Sequence, residues 1–355
     1  MIKIFRNKPK RHALIVLSIA LIALLVFLLK RMQVVTTYVN HSMDSEWIVA
    51  SVTNNNGKND LWLIDSKTQK KQNIVKDRAV MTSGRINKDG DILIYSDALE
   101  NEPWNVFKLN IKSKELFQVT NDSLGEFNLH FGDEKGNIIY AKSGNKNSPI
   151  PKIEKIDLTK KEGNIIDIGS DLGVEDFDIK NNKIIVLAFS YSEYVTKKLK
   201  QSNISEKILY SIIEMDMDGK NKKVISKLKA AHIDSIAFTN EEKIIVIGGE
   251  GIQGDEIGFY KLDLKKNELQ TLLTEKQLQE TNKVYRMSSP YIANVNYDSK
   301  KIYFSAIPTE SKEKELYGIN IYPNNIYSYS LENKELNEIF KGDGNFISSI
   351  SITYK

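Results

Sequence analysis

The sequence contains no cysteine, so disulfide bonds, thiolate metal sites and a cysteine nucleophile are all excluded. A lipid-modified N-terminal cysteine is excluded as a membrane anchor for the same reason. Histidine is scarce, with four residues in 355, and the sequence has no Gly-x-Ser-x-Gly, His-Glu-x-x-His or phosphate-binding glycine motif. The common signatures of hydrolases, metalloproteases and nucleotide-binding enzymes are therefore missing.

Basic residues are unevenly distributed along the chain. The formal net charge is +4, but residues 1–31 hold seven of the 50 lysines and arginines and no acidic residue. Removing these seven leaves 43 basic against 46 acidic residues, a net charge of −3. A slightly acidic body has no basic patch for a phosphate backbone, so we predict no nucleic-acid partner.

One long apolar run, 13–29, is interrupted only by Ser18. Its 17 residues would extend about 25 Å as a helix, and Lys30 and Arg31 can reach the headgroups. A cleaved signal peptide would need a shorter apolar core and a small-x-small site, which is absent here. We predict a basic cytoplasmic tail (1–12), a signal anchor (13–31) and a stalk (32–44). The excess of basic residues before the run predicts a single-pass plasma-membrane protein with residues after 31 outside the cytoplasm.

The rest of the chain repeats one pattern six times, a polar turn followed by an apolar strand. The copies lie at 44–50, 88–95, 133–140, 181–186, 240–246 and 298–304. A second strand follows each copy and ends at a turn-forming polar residue, namely Asp65, Asn110, Asp157, Asp216, Asp263 and Ser330. Successive markers are 45, 47, 59, 47 and 67 residues apart. Units of this size with four strands are typical of β-propeller blades.

The repeats, and most clearly the segment 213–221, resemble the WD40-like repeats of TolB-type propellers. The resemblance extends from about residue 45 to the end of the chain. The family's usual Ser-Pro-Asp-Gly turn is absent, and only Lys88-Asp89-Gly90 comes near it. The resemblance implies an all-β, six-bladed propeller over 45–355 and, by analogy with the family, a role in protein docking.

A propeller ring must close, and two segments could supply the missing inner strand of blade 1. The C-terminal segment 346–354 is one, and 34–39 is the other. Pairing the last segment with the first removes two open sheet edges, so we favour 346–354.

The long blades are extended in the loops between their second and third strands, which share one face of a propeller. Blade 4 inserts residues 190–207 and blade 6 inserts 307–324. We predict that this face binds a partner through aromatic side chains with polar tips. The candidates are Trp104, Tyr191, Tyr194, Tyr317 and Tyr322. The alternative is that these rings pack between blades and loops.

The central channel is the second candidate site. The inner strands carry His130, Asp176, His232, Asp234 and Asn294 near their starts. Carboxylates that converge on an axis could hold a divalent cation, but a merely polar, water-filled channel explains the same residues. We therefore predict no metal and no cofactor.

These patterns favour a membrane-anchored binding or scaffolding module for an envelope protein or glycan. The alternative is an enzyme of the lyase or hydrolase class that uses the channel residues, with a histidine and a nearby aspartate for acid–base work. Propeller peptidases carry a separate α/β domain, and no stretch here has its alternating strands and long helices. Six arginines among 50 basic residues, with many Asn and Ile, are typical of an AT-rich bacterial genome.

Overall fold

The repeats form six antiparallel sheets of four strands, which confirms the predicted six-bladed, all-β propeller. The structure, a computed structural model, describes residues 46–80, 82–98, 103–121, 125–145, 148–200, 205–241, 243–292, 294–295, 300–316 and 318–354. Each blade runs from an inner strand at the axis to an outer strand at the rim. Blade 6 departs from this plan, because its inner strand is split into two short pieces.

The strands of blades 1 to 3 have the following bounds. Blade 1 contains β1 (Glu46–Thr53), β2 (Asn59–Asp65) and β3 (Lys71–Arg78). Blade 2 contains β4 (Arg85–Ile86), β5 (Ile92–Ala98), β6 (Trp104–Asn110) and β7 (Leu116–Gln118). Blade 3 contains β8 (Gly125–Phe131), β9 (Ile138–Asn145), β10 (Ser148–Asp157) and β11 (Glu162–Ile166).

Blades 4 to 6 carry the additional elements. Blade 4 contains β12 (Leu172–Lys180), β13 (Lys183–Ser190), the short helix α1 (Tyr191–Tyr194), a π-helix (Val195–Lys200), β14 (Ile208–Asp216) and β15 (Lys223–Ala230). Blade 5 contains β16 (His232–Phe238), β17 (Ile244–Glu250), β18 (Ile257–Asp263) and β19 (Glu268–Thr274), followed by α2 (Glu275–Gln279). Blade 6 contains β20 (Val284–Met287), β21 (Asn294–Val295), β22 (Lys301–Pro308), the hairpin β23 (Lys314–Leu316) and β24 (Ile319–Ile321), β25 (Asn325–Ser330) and β26 (Leu336–Lys341). The last strand is β27 (Phe346–Tyr354).

The second strand of each sequence repeat is the third strand of a blade, and the polar residue at its end has a defined role in the following turn. The carboxylate of Asp65 accepts the N–H groups of Lys67 and Thr68 at 2.9 and 2.7 Å. Four residues later Gln69 adopts a left-handed backbone conformation and returns its N–H to the Asp65 carbonyl. Asn110 makes the same contacts. An aspartate or asparagine suits this position because its short side chain can cap the turn.

The blades are held together by apolar contacts between their facing surfaces. One cluster joins blades 5 and 6 around Phe259 and Phe304, whose ring centroids lie 5.5 Å apart. Another joins blades 3 and 4 around Phe177 and Ile213. A single blade therefore leaves its apolar surfaces exposed unless a neighbour covers them.

The C-terminal segment supplies the inner strand of blade 1. β27 pairs antiparallel with β1, with Thr53 opposite Phe346 at one end and Glu46 opposite Tyr354 at the other. The buried amide of Asn324 in blade 6 fastens this strand: it donates to the Ile347 carbonyl at 3.0 Å and accepts the Ile347 N–H at 2.6 Å. The first and last segments of the propeller thus share one sheet.

The predicted tail, signal anchor and stalk, and the alternative closing segment 34–39, lie outside the described residues. Within the described ranges, no helix has both the length and the apolar character needed to cross a bilayer.

We expect Ile347→Ala to destabilise the whole propeller. Ile347 is 1% exposed and packs in the cluster that joins blades 6 and 1. Removing such a side chain costs about 2–5 kcal/mol in the free energy of unfolding. Val224→Ala on the rim is the matched control and should change stability by less than about 0.5 kcal/mol. Chemical denaturation of both variants measures the difference, and an equal effect would contradict a closing role for β27.

Candidate functional site: the axial channel and the insertion face

The inner strands of the blades surround a cavity of about 200 Å³ on the propeller axis. Its polar lining includes Ser83, Arg85, Asn128, His130, Asp176, Asp178, Asp234, Asn294, Ser349 and Ser351. Four of the five predicted channel residues, all except His232, therefore meet at this cavity. Arg85 and Asp178 also line it and were not predicted. Arg85 begins the two-residue strand β4, which is too short to show a sequence pattern, and Asp178 lies near the end of β12.

Most of these polar side chains connect neighbouring blades. The Asp176 carboxylate in blade 4 accepts a hydrogen bond from the Asn128 amide in blade 3 and the N–H of Ile236 in blade 5, the latter at 2.8 Å. Asp234 in blade 5 accepts the N–H of Tyr291, from the connection within blade 6, at 2.8 Å. Asp176 thus supplies a hydrogen-bond partner that the inner strand of blade 5 lacks on its axial edge, and Asp234 supplies one to the connection within blade 6.

Hydrogen bonds continue around the ring through blades 6, 1 and 2. Asn294 of blade 6 donates to the Ile350 carbonyl of blade 1 at 3.4 Å. The Ser351 hydroxyl donates to the Gly84 carbonyl of blade 2 at 2.6 Å, and the Thr353 hydroxyl to the Ile86 carbonyl at 2.9 Å. The polar channel is therefore part of the structural frame as well as a cavity.

Burial changes the charge that this cavity carries. It raises the pKa of Asp176 to about 7, although the N–H of Ile236 and the cation of Lys142 act against the rise. Burial lowers the pKa of His130 well below its usual range, and the nearby Arg85 guanidinium lowers it further. His130 lies between Arg85 and Asp178, with nitrogen–nitrogen and nitrogen–oxygen distances of 3.4 and 3.5 Å. At neutral pH His130 is neutral and Asp176 is only partly ionised.

His232 lies at the start of the inner strand of blade 5. Its Nε2 is 2.6 Å from Oδ1 of Asp234, and this hydrogen bond raises the pKa of His232 despite partial burial. Lys198 in the π-helix donates to the carbonyl of Ala231, the residue directly before His232. The blade 4 insertion is thereby tied to the channel mouth, and π-helical segments are frequent at functional sites. Within the described ranges, no three His, Asp or Glu side chains are grouped closely enough to hold a metal ion.

The antiparallel order of each blade places its second-to-third-strand loop on the same face as the connection to the next blade. We call this the insertion face. It carries α1, the π-helix, α2 and the hairpin β23–β24. The connection between blades 5 and 6 contains α2, which begins with a capping box between Thr274 and Gln277.

Blade 6 exposes apolar side chains on this face, both in β20 and in its insertion. Tyr285 and Ile319 are 53% and 64% exposed, and the Tyr285 ring centroid lies 6.3 Å from that of Tyr322. We call Tyr285, Ile319 and Tyr322 the blade 6 group. The hairpin that carries Ile319 is anchored by Lys314, whose ammonium donates to the Asn55 side chain at 2.9 Å and the Gly344 carbonyl at 3.1 Å.

The other predicted aromatic residues occupy different environments. Trp104 is partly exposed and donates its indole N–H to the Ala79 carbonyl at 3.0 Å. Tyr191 and Tyr194 are half-buried against the core of blades 4 and 5, with the Tyr194 ring 5.3 Å from that of Phe189. Tyr317 lies outside the described residues. Tyr285 and Ile319 were not predicted, because no local sequence pattern distinguishes an exposed apolar residue in a short strand from a buried one.

Solved structures of other proteins resemble this chain in fold. No family model and no curated protein matches the chain. Among solved structures, TolB from Acinetobacter baumannii matches over 90% of this chain and 69% of its own, with a TM-score of 0.61 and 10% identity. A structure described as TolB from Agrobacterium tumefaciens matches over 89% and 99%, with a TM-score of 0.53 and 10% identity. A chain of a nidogen–laminin complex matches over 86% and 98%, with a TM-score of 0.55 and 10% identity. The structural neighbours thus include TolB-like β-propellers, and at this identity the likeness shows the fold alone.

We expect Asp176→Asn to change how stability depends on pH. The folded-state pKa of about 7 exceeds the value of about 3.9 in an unfolded chain. Between these values the folded protein binds more protons, so the Asp176 carboxyl makes the free energy of unfolding fall as pH rises. The stability of the wild type relative to Asp176→Asn should therefore decrease from about pH 4 to about pH 7.

Urea denaturation across that pH range measures this difference. Asp255→Asn, at an exposed carboxylate on the insertion face, is the matched control and should run parallel to the wild type. A constant difference between the wild type and Asp176→Asn would show that the buried carboxyl does not titrate in this window.

Proposed function

We propose that the protein is a membrane-anchored propeller of a bacterial cell envelope, which binds or scaffolds another envelope component, a protein or a glycan. The apolar run 13–29 and the excess of basic residues before it support a signal anchor with the propeller on the extracytoplasmic side. The propeller fold is compatible with many functions and does not identify one. The observation that carries the proposal is the exposure of Tyr285 and Ile319, together with the half-buried Tyr322, on the insertion face.

The blade 6 group has the composition of a protein-binding surface. Two tyrosines and an isoleucine combine large apolar area with hydroxyl groups, and aromatic residues of this kind dominate the energetics of interfaces. The segments that carry it are hydrogen-bonded to their neighbours: Gln279 of α2 donates to the Tyr285 carbonyl at 2.8 Å, and Lys314 of the hairpin donates to Asn55 of blade 1. A rigid support lowers the entropic cost of binding, since little of the surface must become ordered on contact.

We expect Tyr285→Ser combined with Tyr322→Ser to weaken capture of the partner while the propeller stays folded. Truncation of a buried aromatic anchor costs about 2 kcal/mol or more in binding, which is about thirty-fold in Kd. Crosslinking in intact cells, followed by identification of the captured component, measures the effect. Val224→Ser, at an exposed position on the rim of blade 4, is the control and should leave capture unchanged. Undiminished capture by the double variant would reject the blade 6 group as the binding surface.

A second candidate function is acid–base catalysis at the channel mouth. The contact of 2.6 Å between His232 and Asp234 favours it, because this carboxylate orients the imidazole and raises the pKa of His232. A histidine held in this way can transfer protons. His130 is less suited to this role, since burial and Arg85 keep it neutral. Asp234 lines the axial cavity and His232 lies outside it, so an enzyme of this kind would bind its substrate at the mouth of that cavity.

His232→Ala separates the two candidates in the same crosslinking measurement. A binding module that uses the blade 6 group should capture its partner as well with this variant as with the wild type. If His232→Ala abolished capture and the double tyrosine variant retained it, the functional site would lie in the channel.

A further inference from the structure

The outer strand of blade 2 exposes more apolar surface than the other outer strands described. All three residues of β7 are exposed, and Leu116 and Phe117 are 44% and 58% accessible. The outer strands of blades 3 and 4 each expose one large apolar residue, Ile165 and Val224. β7 has no charged residue, and no described strand pairs with its outer edge. Natural proteins commonly protect such an edge, because its free backbone groups can pair with another chain.

The hydrogen-bond pattern with β6 shows which backbone groups face outward. Asn110 donates to the Glu115 carbonyl at 2.9 Å, and Val119 donates to the Val106 carbonyl at 2.7 Å. Hydrogen-bonded and non-hydrogen-bonded pairs alternate along an antiparallel ladder. Phe117 lies opposite Lys108, midway between the two bonded pairs, so these two residues also form a hydrogen-bonded pair. The backbone N–H and C=O groups of Phe117 therefore point towards β6. The N–H and C=O groups of Leu116 and Gln118 therefore point away from the blade.

We propose that β7 pairs with β7 of a second copy of this chain, antiparallel, about a two-fold axis at Phe117. In this register Leu116 of each copy lies opposite Gln118 of the other, and both residues have outward N–H and C=O groups. Each such pair can exchange two hydrogen bonds. Phe117 lies opposite its own copy in a non-hydrogen-bonded pair, where side chains approach most closely and aromatic pairs are favourable.

The charged residues next to β7 are compatible with pairing to a second copy of this chain. In the proposed register Glu115 lies opposite Val119 and Lys114 opposite Thr120, so no two charges of one sign meet. The same arrangement of β15 about Leu228 would place Lys227 opposite Lys229 of the second copy, which is repulsive. Lysines on outer strands are a known means of preventing edge-to-edge association. β7, which has no charged residue, therefore meets no such repulsion when it pairs with its own copy.

Cysteine trapping tests this register directly, because the natural chain has no cysteine. In a non-hydrogen-bonded antiparallel pair the Cα atoms lie about 4.5 Å apart, within the range of about 4.4–6.8 Å that a disulfide requires. We expect the full-length Phe117→Cys variant, oxidised in its membranes, to give a dimer that disappears on reduction. Its yield should be several-fold above that of Ile165→Cys and Val224→Cys, which place one cysteine on the rims of blades 3 and 4.

Leu116→Cys tests the register. With the axis at Phe117, the two copies of residue 116 lie two positions apart along the paired strands, about 8 Å from each other by strand spacing, which is too far for a disulfide. A dimer yield for Leu116→Cys equal to that of Phe117→Cys would reject the register. A yield for Phe117→Cys no higher than that of the rim controls would overturn the proposal. The same low yield is expected if a strand of another protein occupies the edge.

Discussion

The structure depends on one packing constraint: a four-stranded blade has two apolar faces and cannot cover either of them alone. Each face is buried only by the next blade, as Phe259 of blade 5 against Phe304 of blade 6 illustrates. A linear row of such sheets would leave its two end faces in water, and the ring removes both ends. The ring closes because β27 returns to pair with β1, and Asn324 of blade 6 fastens Ile347 in that strand. The chain termini of the propeller are therefore inseparable from its core.

The same geometry explains why the axis is polar. The inner strands of all six blades converge there, and their axial edges have no neighbouring strand to satisfy their backbone groups. Asp176 and Asp178 accept such N–H groups from Ile236 and Phe238 of the next blade, and Asp234 accepts the N–H of Tyr291 in the connection within blade 6. Burial is unfavourable for a charged carboxylate, and this opposes the hydrogen bonds that hold Asp176 ionised. Polar residues in this channel are therefore required by the fold before any ligand is considered. The rim and the insertion face are free of that requirement, so their exposed apolar residues are the stronger indication of binding.

Much of the architecture was predictable because it is encoded locally and repeated. The turn-forming residues Asp65 and Asn110 lie at equivalent positions of their repeats and make equivalent hydrogen bonds. Each repeat therefore predicts the same structure independently. The long loops of blades 4 and 6 were also visible as additional sequence. The exposed residues of the candidate site were less accessible. Tyr285 lies in the short strand Val284–Met287, where its exposure depends on the distant insertion that carries Tyr322. Tyr191 and Tyr194 have the same residue type, but they lie half-buried against the core of blades 4 and 5.

The sequence by itself determined the number of blades, the positions of their turns, the lack of thiol chemistry and the apolar run near the N-terminus. These features follow from composition and short-range patterns, in which each residue interacts mainly with its neighbours along the chain. Only the tertiary structure decided which polar residues share the axial cavity, how Arg85 and Asp178 flank His130, and which outer strand is left without protection. Those properties arise between blades that are far apart in sequence, and their energies depend on burial and on distances that exist only once the ring has closed.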